Sequence, residues 1–153
     1  MTKIIYNKFD KKQIGQLPRI LFGGKIVVVL SVSEADKAVN YLLSRDILGI
    51  DTETRPVFHK GQHHKVALLQ VSDYDTCFLF RLNRIGMPKS VLKLLEDKTI
   101  PKIGLSLVDD MLMLHQRSKF TPGYFIDLQD YTKGLGIEDL SLQKLYANIF
   151  HQR

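Results

Sequence analysis

In "ILGIDTETRP", residues 47–56, an apolar run leads into Asp51 and Glu53, and Pro56 closes it. Residues i and i+2 of a strand point to the same face, with Cα atoms roughly 6.5–7 Å apart. Asp51 and Glu53 therefore converge if this run is a strand, because the longer Glu can reach back. Two carboxylates at the end of an apolar strand repel each other and lose hydration. Protonation, an Arg or Lys, or a cation must offset that. Hard oxygen ligands select Mg²⁺ or Mn²⁺. The pair alone is also compatible with Asp51 opening a turn and Glu53 standing in solvent.

A second acidic stretch is "KIGLSLVDDMLML", 102–114. A short strand delivers the chain to a glycine, and a helix then carries Asp109 and Asp110 in its first turn. Acids there interact favourably with the helix dipole. They differ by about 100° around the helix, so only one faces inward. Asp110 shares a face with Leu107 and Leu114 and is the inward candidate, able to complete a metal site with Asp51 and Glu53. Asp109 is expected to be exposed.

Between these stretches lies "RPVFHKGQHHK", residues 55–65, a basic loop. Its His59, His63 and His64 lack other signs of a transition-metal site, and the loop reads as solvated. Lys60 and Lys65 suit phosphate contact. Phe58 is placed either to stack on a terminal base or to join the core.

The elements that must position these residues follow from patterning. "KIVVVL" (25–30) reads as a strand, and Ser33 as the N-cap of an amphipathic helix over 34–44. "ILGIDTE" (47–53) is the next strand. "VALLQVS" (66–72) and "TCFLFRL" (76–82) form a hairpin across the turn "DYD". A helix over 88–97 starts with Pro, followed by a strand at 102–105, a helix over about 107–117 and a strand at 124–128. A short helical piece precedes "SLQKLYANIF" (141–150), whose Leu142, Leu145, Tyr146, Ile149 and Phe150 make an apolar stripe. Strands alternating with helices predict a mixed α/β sheet with helices on its faces, and the hairpin requires an antiparallel strand.

Composition bounds the alternatives. The 153 residues fit one domain, 1–153, with a polar lead-in at 1–24. Lys plus Arg is 22 against 16 Asp plus Glu, and the +6 balance favours a polyanionic partner, nucleic acid before membrane. Cys77 is the only cysteine, which suits a reducing cytoplasm. No segment reads as a signal peptide or a membrane span. A haloacid-dehalogenase phosphatase would want Asp-x-Asp, and a sugar kinase Gly-rich phosphate loops; neither is present.

Together these stretches resemble the DEDD superfamily of 3′–5′ exonucleases, in the branch of ribonuclease D and the Werner-syndrome exonuclease domain. The likeness starts at about residue 25 and runs to the end. "GIDTET" resembles the first motif, "VALLQVSDYDTCFLF" the family hairpin with Leu69-Gln70 in the usual place, and "GLSLVDD" the second motif. Ser106 stands where many members carry Asn. "FIDLQ" and "GIEDLSLQKLYANIF" resemble the strand and helix that follow.

The resemblance implies a ribonuclease H-like fold with a five-stranded mixed sheet, one strand antiparallel, flanked by helices. It implies 3′–5′ exonuclease activity on the 3′ end of single-stranded DNA or RNA, with two Mg²⁺ or Mn²⁺ ions that activate water and clamp the scissile phosphate. Asp51, Glu53 and Asp110 take the catalytic and metal-ligand positions; Thr54, Arg55, Phe58, Lys60, Lys65 and Ser106 are candidates for nucleic-acid contact. The family's third motif, Tyr-x-x-x-Asp or His-x-x-x-x-Asp on a late helix, has no counterpart downstream of Asp110, and no Asp follows Asp139. The fold is therefore expected to be C-terminally truncated, its second ion short of ligands, and its activity weak. Asp127 could partly substitute, although a structural place at a strand end suits it better. The alternative function is a non-catalytic domain that keeps the fold and binds nucleic acid or a partner.

Overall fold

The computed structural model describes residues 2–153; Met1, the first residue of the expected lead-in, lies outside them. The elements in chain order are α1 (Lys11–Ile14), β1 (Lys25–Val29), α2 (Val32–Leu42), β2 (Leu48–Thr54), β3 (Val66–Ser72), β4 (Thr76–Arg81), α3 (Leu82–Ile85), α4 (Lys89–Glu96), β5 (Lys102–Gly104), α5 (Leu107–His115), β6 (Phe125–Asp127), α6 (Leu128–Gly134) and α7 (Leu142–Phe150). They divide into two compact units. One spans residues 24–126; the other joins the chain up to Gly23 with 127–153.

The strands form one sheet in the order β1-β4-β3-β2-β5-β6. β1 runs parallel to β4, and β2 parallel to β5, while β3 is antiparallel to both β2 and β4. The single antiparallel strand is as expected, but six strands replace the five that the resemblance implied. "YFIDL", read as a strand from its own residues, supplies the edge. The backbone N–H of Lys102 donates to the carbonyl of Tyr124 beside it (2.9 Å).

Strand alternation sorts the sheet into two faces. Val27, Phe78, Val71 and Ile50 lie in one cross-strand row, and Val29, Phe80, Leu69 and Thr52 in the next. The apolar members pack with Ala35, Ala38, Val39 and Leu42 of α2 and with Val91, Leu94 and Leu95 of α4. The opposite face carries the rows Ile26-Cys77-Ser72-Gly49, Val28-Leu79-Gln70-Asp51 and Arg81-Leu68-Glu53. Its members are half-buried or exposed. The carboxylates of the first motif thus stand on the more open face, pointing away from the core.

α2 begins two residues earlier than the sequence spacing suggested. Ser31, not Ser33, is the N-cap, and its hydroxyl accepts from the N–H of Glu34 (3.1 Å). Glu34 reaches back to the N–H of Leu30 (2.7 Å), one residue before the cap, so Ser31 and Glu34 together fix the start.

In the second unit, Phe9, Ile14 and Ala147 form a small core. The stripe expected along α7 is displaced. Leu142 and Phe150 are exposed, whereas Ala147 and Asn148 are fully buried. Asn148 holds the inner position because its amide bonds both backbone groups of Tyr6.

Candidate active site

β2 presents Asp51 and Glu53 side by side on the open face, both exposed. The residue between them, Thr52, points the other way and gathers carboxylates from both sides. Its backbone N–H donates to Asp51 Oδ1 (2.9 Å), and its hydroxyl donates to Asp110 Oδ1. Thr52 was not among the candidates from sequence. The signal was the intervening residue of Asp-x-Glu itself, a short hydroxyl where an apolar side chain would also have fitted the strand.

Asp110 reaches Thr52 because β5 lies parallel beside β2 and ends at Gly104, after which α5 starts at Leu107. Asp110 is half-buried and Asp109 exposed, as the helix phase predicted. Leu107 and Leu114 of the same helix are buried in the core. Ser106 occupies the N-cap position of α5 in the left-handed region (φ 57°), a backbone state in which Asn is enriched.

The donor set is hard oxygen, which suits a small divalent cation. The Asp51–Glu53 pair shares one face, while the carboxylate of Asp110 is held at Thr52. Among the described residues, no three His, Cys, Asp or Glu side chains gather closely enough to hold a metal ion. The histidines of the 55–65 loop form no such group either. Asp127 ends β6 and caps α6, its Oδ1 accepting from the N–H of Gln129 (2.9 Å).

The loop between β2 and β3 stands in solvent, with His64 alone half-buried. Phe58 is 81% exposed, which settles its two readings against the core. Arg55, Lys60 and Lys65 are exposed, and Thr54 half-buried. The loop joins one end of the sheet, where β2 finishes, β3 starts and β4 finishes. The pairs Thr54–Val66 and Leu68–Arg81 bring these termini together, with a register shift between Glu53 and Thr54. Arg117 pins this end: Nε donates to the carbonyl of Val66 (2.6 Å) and Nη2 to Asn83 Oδ1 (2.5 Å). Burial lowers the pKa of its guanidinium from the usual value. Arg81 and Arg84 are exposed beside it. Exposed cations therefore stand on the loop that leaves β2 and at the end of β4, at the same end of the sheet as Glu53.

Comparison with known proteins gives a consistent answer. A family model described as 3′–5′ exonuclease matches residues 26–152. A 3′–5′ exonuclease of Arabidopsis thaliana is 31% identical over 136 residues, covering 81% of this chain and 43% of the relative. The chain spans less than half the length of the curated relatives it matches. Among solved structures, the EXD2 exonuclease domain superposes with a TM-score of 0.63 at 28% identity, covering 84% of this chain and 70% of that one. That domain has also been solved after soaking in Mg and GMP, and in Mn and GMP. The catalytic core of RRP6 from Trypanosoma brucei shares the fold, with a TM-score of 0.75 at 14% identity over 92% of this chain and 43% of its own.

Proposed function

Since the chain belongs to the 3′–5′ exonuclease family, we propose that it hydrolyses the terminal phosphodiester at the 3′ end of single-stranded DNA or RNA with the help of Mg²⁺ or Mn²⁺. The observation that carries this reading is the Asp51–Glu53 pair on the open face of β2, with Asp110 tethered at the residue between them. Asp51 and Glu53 would hold the cation from the open face, and Asp110 would join them by turning from the Thr52 hydroxyl. Bound divalent cations activate water and neutralise charge on a phosphate in such sites. The chain's own residues do the rest. β2 and its neighbours hold the two carboxylates on a rigid sheet. Thr52 fixes where Asp51 and Asp110 stand. Arg55, Lys60 and Lys65 attract the phosphate backbone, the exposed Phe58 offers a ring for a base to stack on, and Thr54 and Ser106 offer hydroxyls for further strand contacts.

Two measurements test this. In calorimetry, Asp51→Asn removes one ligand charge, and Mn²⁺ binding is expected to weaken; unchanged binding defeats the assignment of Asp51. In a labelled-oligonucleotide ladder, the parent with Mn²⁺ is expected to shorten single strands from the 3′ end, and Asp110→Ala to slow this sharply. Salt-dependent binding with no trimming would instead assign a domain that keeps the fold for nucleic-acid binding.

A further inference from the structure

The acid face of the sheet holds one cation that the two motifs do not use. Glu53 pairs with Leu68, and Leu68 with Arg81, so the three share one row across β2, β3 and β4. Each antiparallel step is about 4.5–5.5 Å between Cα atoms, which sets Glu53 and Arg81 about 10 Å apart with Leu68 between them. Alternation along β4 buries Phe78 and Phe80 on the core face, so Arg81 belongs to the face of Asp51 and Glu53. Arg81 is exposed, and among the described residues its side chain makes no ion pair or hydrogen bond. It is also the N-cap residue of α3 yet makes no side-chain capping bond. A guanidinium therefore projects from the face of the two carboxylates, about two strands from Glu53, with its donors unspent.

We propose that Arg81 is a positioning residue for the substrate strand: it holds an interior phosphate, one to two nucleotides 5′ of the scissile bond, so that the strand crosses the sheet end from Glu53 over Leu68 to Arg81. This rests on the exonuclease reading, because a 3′ terminal bond at Asp51 and Glu53 leaves only the 5′ portion of the strand to extend elsewhere. Two carboxylates repel a polyanion, and a cation about two strands away offsets that repulsion where the chain must enter. Arginine fits the task better than lysine in geometry. Its planar fork binds a phosphate through two parallel N–H donors and stays charged throughout the working pH range. Leu68 supplies an apolar floor between the two ends of the row, on which a sugar or base edge can rest. The bland role of Arg81, a solubilising surface charge, predicts no change in strand binding when it is removed.

The test is the salt dependence of binding by a short single-stranded oligonucleotide, read for the parent, Arg81→Ala, Arg81→Gln and Arg81→Lys. A lost phosphate contact should flatten the slope of log K against log salt by ~0.7 in the Ala and Gln variants. Arg81→Lys keeps the charge and should keep the slope. The weakening should be equal for oligo-dT and oligo-dA, since a phosphate contact carries no base information. Urea midpoints should match the parent, because no capping bond is lost. A slope unchanged in Arg81→Ala and Arg81→Gln overturns the proposal, as does a loss that Arg81→Lys fails to restore. Trimming is scored separately on the same preparations. Trimming with an unchanged slope defeats Arg81 alone; the expected slope change without trimming defeats the exonuclease reading and leaves the Arg81 contact standing.

Discussion

Gly104 sits at the point where the second motif is delivered to the first. A Cβ built there would meet the carbonyl oxygen of Ile50 at 2.8 Å and would also press on Leu107 Cδ2. The Leu107 methyl could swing aside; the Ile50 carbonyl belongs to β2 and could not. Glycine at this position therefore lets the β5–α5 junction lie against β2, which is what brings Asp110 within reach of Thr52. Gly104→Ala should lower stability by about 1–3 kcal/mol, the usual cost of overpacking a fitted site. Urea unfolding checks this, and an unchanged midpoint would show that the junction has slack. The glycine was visible in "KIGLSLVDD", but its reason was not, since only the parallel pairing of β5 with β2 creates the close approach. Thr52 was visible as a short hydroxyl between two acids, but its partner was not: nothing local says that it will bond a third acid 58 residues away.

Among the elements, the hairpin shows what local patterning can and cannot reveal. β-branched and aromatic runs marked β3 and β4, and the polar "DYD" marked the turn between them. The turn's long-range role was hidden. Asp73 Oδ1 accepts from the N–H groups of Asp75 (2.8 Å) and Thr76 (2.7 Å), closing the turn. Its Oδ2 accepts from the Tyr41 hydroxyl (2.7 Å) and pairs with Arg45 Nε (2.9 Å), tying the hairpin to α2 and the residues after it. Burial pushes the Asp73 carboxyl up, but the Tyr41 hydroxyl, the two backbone N–H groups and Arg45 outweigh it and leave it below the usual range. A carboxyl depressed in the folded state stabilises above its unfolded value and loses that contribution as pH falls through its folded value. Asp73→Asn should therefore lower the melting temperature most near neutral pH, and the gap from the parent should shrink below about pH 4. A gap that stays constant down to that range would remove Asp73 from the acid-sensitive groups. The four-residue helices α1 and α3 escaped the sequence reading because one turn is too short to show a period, and nucleation of so short a helix depends on its surroundings.

At the scale of the whole chain, no helix among the described residues is long and apolar enough to cross a membrane. The alternation of strands and helices foretold a mixed sheet, and the order of the motifs foretold the family. What it could not foretell is the unit built from both ends of the sequence. There, Asn148 Oδ1 accepts from the Tyr6 N–H (2.9 Å), and its Nδ2 donates to the Tyr6 carbonyl (2.7 Å) and to Asp139 Oδ2 (3.2 Å). The same Asp139 oxygen accepts from the Phe9 N–H (3.0 Å). Arg153 adds backbone bonds to Ile20 (2.8 Å) and Pro18 (3.0 Å). A lead-in that reads only as polar is thus held by side chains more than a hundred residues away. Buried amides and carboxylates are expensive to leave unpaired, so Asn148 should not be replaceable by a smaller apolar residue. Asn148→Ala strips one partner from Asp139 and both from Tyr6, at a cost of about 1–2 kcal/mol. That corresponds to an open fraction about 5–30-fold larger. Hydrogen exchange at the Tyr6 and Phe9 amides is the measurement, because it reports the lead-in directly rather than global unfolding. Exchange that does not change at either amide would mean that the Asn148 bonds contribute nothing, leaving the lead-in to the packing of Phe9 and Ile14 on Ala147, the Asp139 bond and the Arg153 backbone bonds.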